Sequence, residues 1–181
     1  MALDLEAFGK CAAPGGSIDP LELKYKPNSR QKLDDDSIKG LKRFLESAES
    51  LKITQVLNQK MVILWVMDVK GDIYFAFEEI VRATDGEYLM PYVRKSYVVD
   101  RLSTDIEEGV VGRLGHPSLL EGAREARIGG EIVLRLDDED ETPWKINRRS
   151  GRYGRREHQT DKHLRAVHSL LTSKGLHLGL E

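Results

Sequence analysis

His116, Ser118, Ser150, Arg152 and Tyr153 are the residues of this 181-residue chain whose types could do chemistry together. An imidazole moves protons near neutral pH, hydroxyls accept and donate, guanidinium forks grip phosphate, and a phenol stacks on a base or gives up a proton. His116 lies in Gly115-His116-Pro117-Ser118, where the chain must bend, since proline restricts the residue before it and glycine permits unusual backbone angles. The second group is the run from Arg148-Arg149-Ser150-Gly151-Arg152-Tyr153 to Gly154-Arg155-Arg156, in which two glycines let backbone come close to a ligand. Catalysis is expected of His116, Tyr153 and Ser150. Substrate or phosphate binding is expected of Ser118, Arg148, Arg149, Arg152 and Arg155. The same sequence allows a plainer part for two of them, His116 as a hydrogen-bonded turn residue and Tyr153 as a packed loop anchor.

Other chemistries find less support. His158, His163, His168 and His177 have neither metal-ligand spacing nor a cysteine partner, so no metal site is expected. The glycine spacing and Lys-Ser/Thr pair of a P-loop are absent. A single cysteine, Cys11, excludes an internal disulfide and suits a reducing compartment. The net charge of −2 hides an uneven distribution: residues 145–165 hold eight Lys or Arg against Glu157 and Asp161. A local basic patch of that kind serves an anionic ligand. No apolar run approaches a membrane span, and no signal-peptide pattern is present. The expected location is therefore the cytoplasm, or a target cell reached through a specialised secretion system.

The elements that must position these residues are those of one α+β domain. Residues 1–36 are dense in turn formers and read as an extended N-terminal arm, with the domain over 37–181. Ser37 begins a helix with Ile38, Leu41, Phe44, Leu45 and Ala48 on one stripe, a pattern that resumes at Leu51, Ile53, Val56 and Leu57. Two apolar runs, 61–67 and 73–77, flank a Gly71 turn as a hairpin, the first strand buried on both faces and hence central. Glu78 and Glu79 follow it as a solvated pair. Residues 80–113 have no assigned role; Tyr88 to Val99 suggest a further strand or two, and 103–108 a surface turn. Residues 127–136 form a strand, its Gly129-Gly130 allowing close backbone approach; 137–141 is a solvated acidic tip and 144–147 the return strand. Thr160 caps a final helix over 161–174, Gly175 stops it, and 176–180 adds an edge strand. The expected architecture is an antiparallel sheet of roughly four to six strands flanked by an N-terminal and a C-terminal helix.

The order His116-Pro117-Ser118-Leu119, Gly130-Glu131, Ser150-Gly151-Arg152-Tyr153, then a helix ending in Lys174-Gly175-Leu176, resembles a known module. That module carries His-Ser-Ser-Phe, Ala-Gly-Glu and Ser-Gly-His-Tyr, in C-terminal domains of bacterial polymorphic-toxin-like proteins and in plant calmodulin-binding proteins with an IQ motif. Here Pro117 stands for its first serine and Arg152 for its second histidine, and no IQ motif is present. The resemblance implies a toxin- or effector-type protein with a cognate immunity protein. Three functions follow. The first is metal-independent cleavage of RNA, with His116 as acid or base, Arg149 and Arg152 on the phosphate and Tyr153 stacking or donating, needing no cofactor. The second is ADP-ribosyl transfer from NAD between His116 and Tyr153, for which the late glutamate is missing. The third is a non-catalytic immunity or adaptor module that holds an acidic partner on the basic loop.

Overall fold

The computed structural model describes residues 4–93, 110–136 and 142–181. The acidic tip at 137–141, the suggested strand residues beyond position 93 and the turn at 103–108 lie outside the described residues.

A six-stranded sheet carries the molecule. Its strands are β1 (Gln31–Lys32), β2 (Ile63–Asp68), β3 (Ile73–Phe77), β7 (Ala126–Leu134), β8 (Trp144–Asn147) and β9 (Gly179–Leu180), in the order β1-β3-β2-β7-β8-β9. All pairs are antiparallel except β8 with β9. A smaller sheet, ordered β5-β4-β6, is built from β4 (Glu79–Arg82), β5 (Tyr88–Pro91) and β6 (Val111–Leu114). Among the described residues four α-helices accompany them: α1 (Pro20–Lys24), α2 (Asp35–Ser50), α3 (Lys52–Asn58) and α4 (Asp161–Ser173). The α+β class, the central place of β2, the β2–β3 hairpin and the late edge strand are as the sequence implies.

The two faces of the large sheet are sealed differently. Side-chain alternation sends Ile63, Trp65 and Met67 of β2, with Ile128 and Ile132 of β7 and Trp144 and Ile146 of β8, to one face. There they meet Ile38, Leu41, Leu45 and Ala48 of α2 and Leu164, Val167 and Leu171 of α4. Trp144 fixes the layer twice, tilting against Phe44 and donating its indole N–H to the Leu45 carbonyl at 3.1 Å. Leu64 and Val66 point the other way, toward a smaller cluster with Leu119, Leu120, Val133 and Tyr153, so that face is covered by loops rather than helices.

Several local expectations are corrected by tertiary context. The cap of α2 is Asp34, whose carboxylate accepts from the Asp36 and Ser37 amides, while Ser37 accepts from the Asp34 amide. The apolar pattern resumes on α3 but faces outward: Leu51, Ile53, Val56 and Leu57 are all exposed. Lys52–Asn58 is a separate helix beyond the break at Leu51, and it restarts out of phase with the α2 stripe. Glu78 and Glu79 are buried, not solvated. Glu79 organises the arm, accepting from the Asn28 amide at 2.8 Å and from the Ser29 amide at 2.9 Å. The arm is not a loose extension. It runs along the domain and supplies edge strand β1 against β3, and position 36 lies in the first turn of α2.

A candidate acid–base cleft beside the histidine bend

After β6 the chain turns through Gly115 into a single 3-10 turn, His116–Leu119, with Pro117 inside it. Ser118 closes the turn, its hydroxyl donating to the Gly115 carbonyl at 2.6 Å. His116 is 8% exposed, and its Nε2 lies 2.8 Å from the Gly130 carbonyl oxygen on β7. A carbonyl only accepts, so in this contact Nε2 carries the hydrogen. Position 130 needs a glycine for another close approach, since a Cβ there would run into the Asn147 carbonyl beside β7.

Beside the imidazole opens a cleft of about 300 Å³ lined by Asp19, Glu22, Glu78, Arg113, His116 and Arg152. Glu22 comes from the arm. Asp19 and Glu22 cap α1 reciprocally, with Pro20 at its first position, which fixes the direction of Glu22. Its carboxylate accepts from the Gly115 amide at 3.0 Å and from the Asp19 amide at 3.2 Å. Burial pushes the Glu22 carboxyl above its ordinary value, against the pull of those two amides and of Arg152. Glu78, also buried, pairs with Arg113 at 3.3 Å. A carboxyl of raised proton affinity, an imidazole oriented by the Gly130 carbonyl and two guanidinium groups thus share one recess.

The other expected site residues have different fates. Tyr153 is 0% exposed and donates its phenol to the Arg124 carbonyl at 2.8 Å, and burial drives its proton affinity far up. The ring face expected to stack on a base or a nicotinamide is enclosed by the small cluster, so Tyr153 acts as the loop anchor. That corrects its expected catalytic part. Ser150 is likewise structural: it is buried, and its Oγ accepts from the Tyr153 amide at 3.1 Å. Ser118 is spent inside its own turn. Arg148 and Arg149 follow the end of β8 and take different partners. Arg148 donates to Asp161 at the start of α4 and to the Gly154 carbonyl, both at 2.8 Å, while Arg149 pairs with Glu181 at 3.1 Å. Arg155 is exposed. Of the expected set, His116 and Arg152 reach the cleft.

Glu22, Glu78 and Arg113 were not among the expected residues. Asp19-Pro20-Leu21-Glu22 does carry a legible signal, a capping residue followed by proline and, three positions on, glutamate. Nothing in the sequence shows that this turn lands on Gly115. Among the described residues no group of three or more His, Cys, Asp or Glu side chains has an arrangement that could hold a metal ion. No described helix is long and apolar enough to cross a membrane. Comparison of the chain with protein-family models, with curated proteins and with solved structures finds no match to any of them.

Proposed function

We propose that this chain is a toxin- or effector-type enzyme that cleaves RNA in the cleft beside His116, using its own acid, base and guanidinium groups. The observation that carries the reading is the meeting of Glu22 and His116 at one peptide: Glu22 accepts from the Gly115 amide, and His116 is the next residue. A carboxyl and an imidazole held at one point suit an in-line displacement.

Glu22, as carboxylate, takes the proton from a ribose 2′-hydroxyl as its oxygen attacks phosphorus. The bond from phosphorus to the 5′-oxygen breaks, and the imidazolium of His116 returns a proton to that oxygen. The products are a 2′,3′-cyclic phosphate and a 5′-hydroxyl. Arg152 and Arg113 oppose the charge that builds on the phosphoryl oxygens, and the Gly130 carbonyl steadies the ring as it becomes a cation.

Inducible expression of the parent and of His116→Ala in bacteria, followed by inspection of total RNA, tests this. The parent should fragment RNA and leave cyclic-phosphate ends, and the variant should cut about 10²- to 10⁴-fold more slowly. Intact RNA under parent expression, or equal cutting by both, would overturn it.

A further inference from the structure

We propose that residues 5–16 are a strap lying on a guanidinium stripe, Arg127, Arg156 and Arg152, which takes a single-stranded RNA backbone when the strap lifts; the proposal rests on the RNA reading of the cleft. Each of the three arginines donates to main-chain carbonyls of the arm, while Arg156 Nη2 also holds the Ala126 and Arg127 carbonyls of β7 at 2.8 Å and Arg127 Nε the Val69 carbonyl at 3.3 Å. Arg127 Nη1 donates to Leu5 and Gly9, both at 3.1 Å. Arg156 Nη1 donates to Ala12 at 2.8 Å and Ala13 at 3.0 Å, and Arg152 Nη1 to Gly15 at 3.1 Å. Among the described residues none of the three has a carboxylate in ion-pair range. Under the strap these like charges are met by neutral acceptors, which a phosphate oxygen outcompetes for a guanidinium fork.

The strap is built to leave alone. Its backbone is held to the domain by the Ala12–Ala126 bridge, 3.1 Å in both directions, and by the Gly15 amide donating to the Arg152 carbonyl at 2.8 Å, and Phe8 is its buried anchor. It ends at Gly15-Gly16, where Gly16 has φ +70°. Beyond that hinge the capped turn of α1 keeps Glu22 on Gly115, so lifting the strap leaves the acid–base pair in place. Arg152 belongs both to the stripe and to the cleft wall, so a strand bound along the stripe is led to His116.

A reversible lock tests this in the full chain. Facing residues of a hydrogen-bonded antiparallel pair have Cα atoms about 5.5 Å apart, within disulfide range. Cys11→Ser with Ala12→Cys and Ala126→Cys would pin the strap when oxidised, and His116→Ala keeps the probe uncut. Binding of a short fluorescein-labelled oligouridine is read by anisotropy. The oxidised form should bind at least about tenfold more weakly than the reduced form, with recovery on adding reductant. Arg127→Ser in the reduced form should lower the slope of log affinity against log salt by about 0.7. Independently of the disulfide, Phe8→Ala in the native sequence should tighten binding. Equal affinity of oxidised and reduced forms, no RNA binding by the reduced form, or unchanged binding by Phe8→Ala would each overturn the strap. If the lock gates binding while the parent cuts no RNA, the strap stands and the cleavage reading falls. Cutting by the parent with no effect of the lock gives the reverse.

Discussion

The two faces of the large sheet solve the same burial problem with different materials. Toward α2 and α4 the cover is two amphipathic helices whose apolar positions recur at helical spacing and meet alternating strand residues. Toward the other side the cover is a bent loop, a buried tyrosine and an arm, fastened by hydrogen bonds such as Tyr153 to Arg124 and Arg30 to Leu119. Helices satisfy their own backbone groups and offer only side chains. Loops leave carbonyls and amides that need partners, and those partners bring polar chemistry onto the sheet. The candidate cleft lies on the loop-covered side for that reason.

The contrast can be broken hardest on the helix side. Trp144→Ala should cost about 3–5 kcal/mol of unfolding free energy, because it opens a cavity between sheet and helix and removes the bond to the Leu45 carbonyl. Urea denaturation followed by fluorescence of the remaining Trp65 reads it, and a loss under about 1 kcal/mol would mean the helix layer is not the stabilising one. On the loop side, Tyr153→Phe removes one buried hydrogen bond and little volume. The expected loss is about 1–2 kcal/mol, with RNA cutting retained; loss of cutting in a folded variant would restore a catalytic role to the phenol.

The smallest effect sharpens the electrostatics. Burial raises the Glu22 carboxyl, so the folded state holds that proton more tightly than the unfolded state does. Its stabilising contribution is present below the ordinary glutamate value and is lost as pH rises through the raised one. Glu22→Gln should remove that dependence and flatten stability against pH in this window, seen by thermal melting across acidic pH. The same carboxyl should set the acid limb of RNA cutting above the ordinary glutamate range, and the limb should vanish with the variant. An unchanged acid limb in Glu22→Gln would show that another group is the base.

The hairpin around Gly71, the α2 stripe and the Thr160 start of α4 are legible because their signals are local, a few residues of alternation, periodicity or capping. His116 and Arg152 were legible as chemical types at a bend and in a basic loop. The misplacements share one cause. Tyr153, Ser150 and Glu79 have polar groups whose value depends on burial, and burial is set by elements far along the chain. The exposed face of α3 failed differently: its residues have the right spacing, but a break at Leu51 turned them away from the core.

By itself the sequence determined an α+β chain with a central apolar strand, a capped closing helix, and a histidine bend followed by an arginine-rich loop. Periodicity of nearest neighbours is enough to specify those, since the hydrophobic effect is non-directional and reads only which face is apolar. Tertiary structure alone decided that Glu22 meets Gly115 across 93 residues, and that Arg156 closes on Ala12 across 144. Hydrogen bonds and ion pairs are directional and short, so which partners meet is fixed only once packing has brought distant segments within reach.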